Sequence, residues 1–338
     1  MAQSVVISGY YGYDNFGDEA ILGILTNHLR DLGTEVTVLS HDASKTSRFY
    51  GVQAVNNFNP LMILLAILKS DVLISGGGSL LQDVTSTKSL LYYCFIIALA
   101  QLFKKRVIIF AQGIGPLQKE SSRKLALNLI SKCDLVTVRD LKSQDFLANE
   151  GIQSTLVSDP VFSVDLPISE KEGTVGVQLR DFKSMNDEFL FNLARHIVEN
   201  FADRKIELYV FQNSLDLEIC KKFEKMLKTL APKIKTSIIK NLAQNDVIIK
   251  ISRLEYMIAM RFHAVLVALK TGVKTLAINY DAKVAKLAYE SFLPILNISP
   301  EDNFEVAFEK LLNLDENALL DFARNQNFDW EVFDEHLS

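Results

Sequence analysis

The residues best suited to chemistry in this sequence are an arginine and a histidine two positions apart, Arg261 and His263. They follow the apolar run Tyr256–Met260 and stand where a helical pattern begins. A histidine can give or take a proton near neutral pH, because its ordinary pKa is about 6.5. At a helix mouth beside a cation, His263 is therefore predicted to act as a general acid or base, with a purely structural histidine as the alternative.

Two more cations follow other apolar runs in the same half of the chain. Arg180 ends the run TVGVQL, and its planar guanidinium group can bind a carboxylate or a phosphate through two parallel hydrogen bonds. Lys283 stands in the first turn of a predicted helix, where the helix dipole disfavours a cation and a bound anion would offset that cost. The alternative for both is an exposed surface side chain. The three cations together indicate a site for a small anion.

A glycine-rich loop, SGGGSLLQD, follows the apolar run Asp71–Ile74 in the first half of the chain. Its consecutive glycines are Gly76, Gly77 and Gly78, and they cost backbone entropy, so a packing or binding reason is expected. We predict that this loop contacts a ligand. Asp83 closes the loop and could accept a proton or hold a sugar hydroxyl, with a helix cap or a solvated carboxylate as the alternative.

Two other loops carry glycines directly after apolar runs. The first, GYYGYDNFGDEA, opens a helix at Gly17 and Asp18, where free backbone N–H groups suit an anion. Its spacing is not that of the dinucleotide fingerprint, and a tight turn in which Asp18 caps the helix is the alternative. The second loop is QGIGP, in which Gly113 is either a ligand contact or part of a structural turn.

The elements that position these loops alternate between short apolar runs and longer amphipathic ones. Such a rhythm predicts an α/β fold with parallel sheets and helices on both faces. The predicted strands are Ser4–Ser8, Glu35–Ser40, Asp71–Ile74, Arg106–Ala111 and Asp134–Val138, and then Thr174–Leu179, Ile206–Phe211, Thr236–Ile239, Tyr256–Met260 and Lys274–Ile278.

A segment rich in Pro, Asp, Ser and Glu, 158–173, is the predicted linker. We therefore expect a Rossmann-like N-terminal domain over 1–165, a second one over 166–299, and a helical C-terminal tail over 300–338. Two such domains would face a central cleft at the carboxyl ends of their strands.

Composition excludes several classes of protein. Of the 338 residues, 49% are hydrophobic and 23% charged, which is typical of globular domains rather than disordered chains. The net charge of −5 disfavours a dedicated nucleic-acid binder. Three scattered cysteines indicate free thiols in a reducing cytoplasm, and no metal-ligand spacing is present. No metal and no cofactor are expected.

Two apolar stretches bear on membranes. Leu61–Leu68 and Leu90–Phe103 are shorter than the roughly 18–20 residues that span a bilayer, and both are expected to form buried helices. For Leu90–Phe103 the alternative is an interfacial helix that lies flat on a membrane. The N-terminus lacks the charged lead and long apolar run of a signal peptide.

Six motifs, in order over about residues 4–290, resemble those of the polysaccharide pyruvyl transferases, in particular the CsaB-type enzymes of bacterial cell-surface polymers. They are GYYGYDNFGDEA, SGGGSLLQD, QGIGP, the arginine after GVQL, RFH and YDAKV. One departure is visible, since Ala282 stands where the family has a proline, and this loosens the turn before Lys283.

The resemblance implies a fold similar to GT-B glycosyltransferases, with the site between the domains. It also implies transfer of the enolpyruvyl carbons of phosphoenolpyruvate to two sugar hydroxyls, which gives a pyruvate ketal in cell-wall polymers of the kind that anchor S-layers. His263 would be the acid/base, while Arg180, Arg261 and Lys283 would hold the donor. Asp83 would lie by the acceptor, a glycan or lipid-linked sugar, or assist proton transfer.

Two other functions remain open from the sequence. A GT-B glycosyltransferase would use a nucleotide sugar and often carries a glutamate near a loop of the second half, for which Glu218 and Glu255 are candidates. A non-catalytic sugar- or anion-binding protein is the third hypothesis, and replacing His263 would leave its function intact.

Overall fold

The computed structural model describes residues 3–84, 86–164, 166, 169–182, 185–241, 244–299, 301–326 and 328–337. It contains two compact units. The first comprises the described residues within 1–163 and 327–338, and the second those within 164–326. The boundary lies inside the segment 158–173, and residues 165, 167 and 168 of that segment lie outside the described residues.

The first unit is built around a parallel sheet that has seven strands in the described residues, in the order β3-β2-β1-β4-β5-β6-β7. Its central strands are buried except for the first residues of two of them, Ser4 and Arg106, as expected for aliphatic runs covered on both faces. The strands are β1 Ser4–Ser8, β2 Glu35–Ser40, β3 Gln53–Asn56, β4 Val72–Ser75, β5 Arg106–Gln112, β6 Leu135–Val138 and β7 Thr155–Leu156.

Helices follow these strands, and most begin at a side chain that caps their first turn, as Asn15, Asp42, Asn59, Ser86 and Asp140 do. The helices are α1 Phe16–Asp31, α2 Ala43–Tyr50, α3 Pro60–Lys69, α4 Thr87–Leu102, α5 Glu120–Ile130 and α6 Leu141–Asn149. A short 3-10 helix, Pro160–Ser163, packs against α1.

The second unit repeats the arrangement with a parallel sheet of six described strands, in the order β10-β9-β8-β11-β12-β13. The strands are β8 Val175–Gln178, β9 Lys205–Tyr209, β10 Lys235–Ile239, β11 Tyr256–Ala259, β12 Lys274–Asn279 and β13 Ile295–Asn297. The helices are α7 Asp187–Phe201, α8 Asn213–Leu230, α9 Gln244–Ser252, α10 Phe262–Lys270, α11 Ala282–Glu290, α12 Phe304–Leu312 and α13 Glu316–Arg324.

The strand order reverses at one point in each sheet. In the first sheet β1 lies between β2 and β4, and in the second β8 lies between β9 and β11. The chain therefore leaves β1 and β4, and likewise β8 and β11, toward opposite sides, which opens a crevice at their carboxyl ends. The predicted α/β class with parallel sheets is confirmed.

The segment expected as a separate tail contributes to both units. Helices α12 and α13 pack on the second unit, where α12 contacts α7 and α13 contacts α10. The last helix, α14 Trp330–Asp334, belongs to the first unit, where the Phe333 ring packs 5.0 Å from that of Phe110.

The expectation that the helices over Leu61–Leu68 and Leu90–Phe103 are buried is wrong for one face of each. Leu61, Leu65 and Leu68 of α3 and Leu91 and Leu102 of α4 are exposed. Apolar composition predicts that a face will be covered but does not say by what. In the described part of the chain no helix combines the length and apolarity needed to cross a bilayer.

Candidate functional site

The four residues singled out in the second half stand on loops at one edge of its sheet. Arg180 comes two residues after β8, Arg261 two residues after β11, and Lys283 four residues after β12. These strands are adjacent and parallel, so their carboxyl ends lie side by side. His263 lies in the first turn of α10, which begins after Arg261. The fold thus places all four residues at the edge where the strand order reverses.

Arg261 is buried and paired with a carboxylate that the sequence analysis missed. Its Nε and Nη2 atoms donate to both oxygens of Asp216, with the shortest distance 2.6 Å, and Nη2 also donates to Gln212 Oε1 at 3.3 Å. These bonds leave Nη1 as the nitrogen whose N–H groups the described contacts do not use. Arg261 can therefore offer a ligand one edge of its guanidinium group, with much of its charge balanced by Asp216.

Asp216 is fully buried in the first turn of α8 and accepts further bonds from backbone N–H groups. Those of Phe211 and Gln212 donate to Oδ2 at 2.9 and 3.0 Å. Gln178, at the end of β8, donates to the same oxygen at 3.3 Å, and its own Oε1 accepts the Arg261 N–H at 2.8 Å. This network fixes the loops after β8, β9 and β11 relative to one another.

Arg180 lies over an aromatic ring and forms no ion pair with the residues that the structure describes. Its guanidinium carbon is 5.6 Å from the centre of the Tyr280 ring, a cation–π contact between the loops after β8 and β12. Its Nε is buried and has no hydrogen-bond acceptor among the described residues. A buried donor without an acceptor costs free energy, which a bound carboxylate or phosphate would recover.

His263 is half-buried at the start of α10, with its ring 5.2 Å from that of Phe262 in an edge-to-face arrangement. Its backbone belongs to the amino-terminal turn, where the positive end of the helix dipole favours a bound anion. The position therefore places an imidazole next to an anion-binding helix end, which suits proton transfer to a bound anionic substrate.

Lys283 is the second residue of α11, after the capping residue Asp281, whose Oδ1 accepts the Lys283 N–H at 2.9 Å. The replacement of the family's proline by Ala282 leaves this cap intact, since Ala282 forms the first helical position. The side chain of Lys283 is half-buried. The lysine is thus held at a fixed helix start at the same sheet edge as the two arginines.

A hollow of about 540 Å³ opens beside the Arg180–Tyr280 contact. Phe182, Tyr280 and Ile298 give it an apolar wall, and Asn279 and Asp281 give it a polar rim. The Asp281 carboxylate would repel a dianion, so this hollow suits an uncharged ring with hydroxyl groups better than a phosphate.

In the first unit, the two predicted glycine loops pack on each other at the corresponding edge. A Cβ on Gly76 would lie 1.9 Å from the hydroxyl oxygen of Tyr11, and one on Gly78 would lie 2.6 Å from Asp18 Oδ1. Gly78 also has a φ of +98°, a conformation that favours glycine. Close packing therefore explains why glycine stands at Gly76, Gly77 and Gly78. Contact of this loop with a ligand stays a prediction.

Helix α1 begins one residue before Gly17, and its cap is Asn15, whose side chain accepts the Gly17 N–H at 3.3 Å. The alternative in which Asp18 caps this helix is thus wrong, because Asp18 stands inside the first turn and points toward Gly78. Gly113 donates its N–H to the Gly78 carbonyl at 2.9 Å and joins its loop to the glycine loop. These residues form one connected edge after β1, β4 and β5.

The carboxylate of Asp83 is engaged at the start of α5. Its two oxygens accept the N–H groups of Gln118 and Lys119 at 2.7 and 2.9 Å. These bonds lower the pKa of Asp83 below its ordinary value, with a smaller contribution from Ser122. Through these two hydrogen bonds the ionised Asp83 carboxylate positions the loop before α5. A role of Asp83 in proton transfer or in binding the acceptor stays a prediction.

The glutamates considered for a nucleotide-sugar site both form ion pairs. Glu218 is 83% exposed on α8, where it pairs with Lys221 at 2.7 Å. Glu255 directly precedes β11, at the opposite edge of the sheet from Arg261, and pairs with Arg204. Glu255 therefore lies away from the carboxyl edge. Within the described residues, no group of three or more His, Cys, Asp or Glu side chains could hold a metal ion.

Comparison with known families gives one match over most of the chain. The family model for polysaccharide pyruvyl transferase matches residues 15–282, a range that contains the six motifs except the start of the first, residues 9–14, and the end of the last, residues 283–284. No curated protein matches the chain in sequence.

Solved structures match the fold over nearly the whole chain. A UDP-GlcNAc 2-epimerase from Methanocaldococcus jannaschii has a TM-score of 0.65 at 14% identity and covers 96% of this chain and 98% of its own. A UDP-GlcNAc 2-epimerase from Neisseria meningitidis, bound to UDP-GlcNAc, has a TM-score of 0.62 at 12% identity, with 99% of each chain covered. A glycosyltransferase from Rickettsia africae has a TM-score of 0.59 at 11% identity, with 99% and 96% covered. At these identities the likeness shows the fold alone, an α/β fold of the GT-B type.

Proposed function

The chain belongs to the polysaccharide pyruvyl transferase family, and we propose on that basis that it transfers the pyruvyl group of phosphoenolpyruvate to two hydroxyls of a sugar. The family match confirms the resemblance of the motifs. The acceptor we propose is a sugar of a cell-surface polysaccharide or of its lipid-linked precursor, and the product is a pyruvate ketal.

The main support for the proposal is a set of hydrogen-bond donors at the carboxyl edge of the second sheet. There Arg180 has a buried N–H donor without an acceptor among the described residues, and Arg261 keeps Nη1 available. Phosphoenolpyruvate carries a carboxylate and a phosphate on three carbons, and these guanidinium groups with Lys283 would supply donors to both. The helix end at His263 would add the positive end of the helix dipole.

The chemistry needs one proton donor at this place. His263 would protonate C3 of phosphoenolpyruvate, which makes C2 electrophilic, and would regain a proton from the first sugar hydroxyl as its oxygen bonds to C2. The C2–O bond to phosphate then breaks, and the second hydroxyl adds to C2. Its proton leaves with the phosphate, so the products are the ketal and inorganic phosphate.

On the acceptor side, we propose that the edge formed by Gly17, Asp18, Gly76, Gly77, Gly78 and Gly113 contacts the sugar. The five glycines are buried and pack these loops closely together, and Asp18 is the half-buried polar side chain among these residues. Asp83 holds the neighbouring loop in place through its two backbone hydrogen bonds. We also propose a cytoplasmic location, in keeping with three cysteines that are free thiols.

Donor identity tests the proposal. Isothermal titration with phosphoenolpyruvate should show binding that is lost in Arg180→Ala, and incubation with acceptor glycans should release inorganic phosphate. A protein that binds no phosphoenolpyruvate, or that releases nucleoside diphosphate from a nucleotide sugar instead, would overturn it.

One observation favours a second candidate, a glycosyltransferase that uses a nucleotide sugar. The hollow lined by Phe182, Tyr280 and Ile298 could hold a base and ribose, and the structural neighbour from Neisseria meningitidis was solved with UDP-GlcNAc. Titration with UDP distinguishes the two, because a pyruvyl transferase has no need of a nucleotide.

A further inference from the structure

The largest concentration of exposed apolar side chains among the described residues lies on two neighbouring helices of the first unit, α3 and α4. Soluble proteins rarely expose a contiguous apolar surface without a partner for it. The exposed side chains of this surface, called here the α3/α4 face, are Phe58, Leu61, Met62, Leu65, Leu68, Leu91, Phe95, Leu102 and Phe103.

The exposed residues form one stripe on each helix. Leu61, Leu65 and Leu68 are spaced four and three residues apart on α3, so they share a face. Leu91 and Phe95 are four residues apart on α4, and Leu102 falls seven residues later on the same side. The two helices contact each other, so the stripes are neighbours.

These stripes are not the faces that cover the sheet. Ile63 and Ile67 of α3, and Leu90 and Ile97 of α4, are buried in the core of the first unit. Each helix is therefore apolar on two sides. An ordinary surface helix has polar residues on its outer side, so the outer stripes require an apolar surrounding that the chain itself does not supply.

The charged side chains of α3 and α4 are all lysines, and lysines also follow α4, while one exposed acid, Asp71, follows the end of α3. Lys88 is exposed at the start of α4, and Lys69 and Lys104 are exposed where α3 and α4 end. The amino group of Lys105 donates to the carbonyl groups of Leu68 and Ser70 at 2.9 and 2.6 Å, which joins these two ends. Neither helix contains an aspartate or a glutamate.

We propose that the α3/α4 face docks on the surface of an anionic lipid membrane. The apolar side chains would enter the boundary between headgroups and acyl chains, and the lysines would contact anionic headgroups. Docking of this kind needs no spanning segment and leaves both helices parallel to the surface. It does not depend on the proposed reaction.

A second copy of the chain is a poorer occupant for this face. Lysines border both ends of the α3/α4 face, so pairing two copies about a two-fold axis would bring lysines of like charge together without a carboxylate from either helix between them. Anionic headgroups complement the same lysines.

Co-sedimentation with lipid vesicles tests the proposal directly. We expect the protein to pellet with vesicles that contain phosphatidylglycerol and to bind vesicles of phosphatidylcholine alone at least about tenfold more weakly. Leu65→Gln with Phe95→Gln should reduce binding to the anionic vesicles by about tenfold or more, because it removes two apolar anchors. Lys69→Glu with Lys104→Glu should abolish the preference for phosphatidylglycerol.

The matched control is Tyr289→Gln, which changes an aromatic side chain that is 71% exposed in the second unit and should bind vesicles as the wild type does. All these positions are exposed, so thermal melting should be unchanged. Equal sedimentation with and without anionic vesicles would overturn the proposal. So would a dimer in sedimentation equilibrium that Leu65→Gln with Phe95→Gln dissociates, since it would assign the face to a second copy.

Discussion

Asp216 and Arg261 form a two-point ion pair in the interior of the second unit, where Asp216 is fully buried and the Arg261 side chain is 9% exposed. The pair joins the start of α8 to the loop after β11, which are 45 residues apart in the chain. It engages Nε and Nη2 of Arg261 and leaves Nη1 as the nitrogen that the described contacts do not use.

Breaking this pair should destabilise the fold strongly. Asp216→Ala leaves a buried guanidinium group without its counter-charge, and we expect it to lower the free energy of unfolding by about 3–5 kcal/mol. Urea unfolding measures this. Glu218→Ala on the same helix, where the carboxylate is exposed, should change the free energy of unfolding by less than about 0.5 kcal/mol. Equal effects of the two changes would refute a structural role for the pair.

Replacement of both partners separates stability from function. Asp216→Leu with Arg261→Met should lose less stability than Asp216→Ala, because no buried charge is left unpaired and only neutral donors such as the Phe211 and Gln212 N–H groups lose their acceptor. The same variant should bind phosphoenolpyruvate at least about tenfold more weakly, because the Nη1 donors are gone. Titration calorimetry measures the affinity for phosphoenolpyruvate. An unchanged affinity would show that Arg261 does not bind the donor.

His263→Gln should remove turnover but not binding. Loss of a positioned acid/base lowers kcat by about 10²–10⁴-fold, while the dissociation constant for phosphoenolpyruvate should change by no more than a few-fold. Phosphate release and titration calorimetry give the two values. His196→Gln is the control, since His196 lies on α7 against Phe304 and should keep full activity. Turnover that survives in His263→Gln would point to a binding protein or to another acid.

Arg180→Lys should weaken donor binding by about tenfold or more, since an ammonium group cannot replace the fork of a guanidinium group or its contact with Tyr280. Tyr280→Leu removes the cation–π contact but keeps the Arg180 guanidinium group, and it should cost about 0.5–1 kcal/mol of binding free energy. Arg195→Lys, at a half-exposed position on α7, serves as the control. The order Arg180→Lys, then Tyr280→Leu, then Arg195→Lys is the expected ranking of dissociation constants for phosphoenolpyruvate.

Glu19 gives a pH dependence of stability. Burial raises the pKa of Glu19, although the Tyr50 hydroxyl and the Gly12 N–H oppose the shift. A carboxyl whose pKa is higher in the folded state binds more protons when folded, so its contribution to stability falls as the pH rises from its unfolded pKa through its folded pKa. Glu19→Gln should therefore gain stability relative to the wild type as the pH increases through that window. Melting temperatures measured from about pH 4 to pH 8 test this, and a parallel shift at all pH values would contradict it.

The Gly76–Tyr11 contact predicts a rescue experiment. Gly76→Ala should cost about 1–3 kcal/mol, because its Cβ would meet the Tyr11 hydroxyl oxygen. Tyr11→Phe removes that oxygen, which has no hydrogen-bond partner among the described residues, and should recover part of the loss. Chemical denaturation of both single variants and the double variant measures the coupling. Strictly additive effects would show that the two residues do not interact.

Most strands could be read from the sequence because they are buried aliphatic runs with sharp borders. β1 and β2 begin and end where predicted, and most of the other predicted strands agree within one residue. The strands that were missed, β3, β7 and β13, have two to four residues and lie at or near sheet edges, where no long apolar run is required. Helix α2 was missed because its sequence, ASKTSRFY, has few apolar residues to mark a period.

Only part of the candidate site could be predicted from the sequence. Glycine loops and RFH mark strand ends, so their place at the sheet edges follows from the α/β rhythm. Asp216 was not predicted because a single aspartate in the first turn of an amphipathic helix gives the pattern of a surface residue. Its burial depends on a partner from a distant loop, which one sequence without related sequences does not reveal. The Arg180–Tyr280 contact also joins residues that are far apart in the chain, so it could not be predicted from one sequence either.

The return of residues 328–337 to the first unit, where Phe333 meets Phe110, has a consequence for biosynthesis. A ribosome delivers the strands of the first unit early, yet the segment that covers Phe110 emerges only after the entire second unit has been made. Until then Phe110 lacks the Phe333 ring that packs against it. Removal of residues 328–337 would uncover this part of the core, so we expect it to destabilise the first unit although the whole second unit is kept.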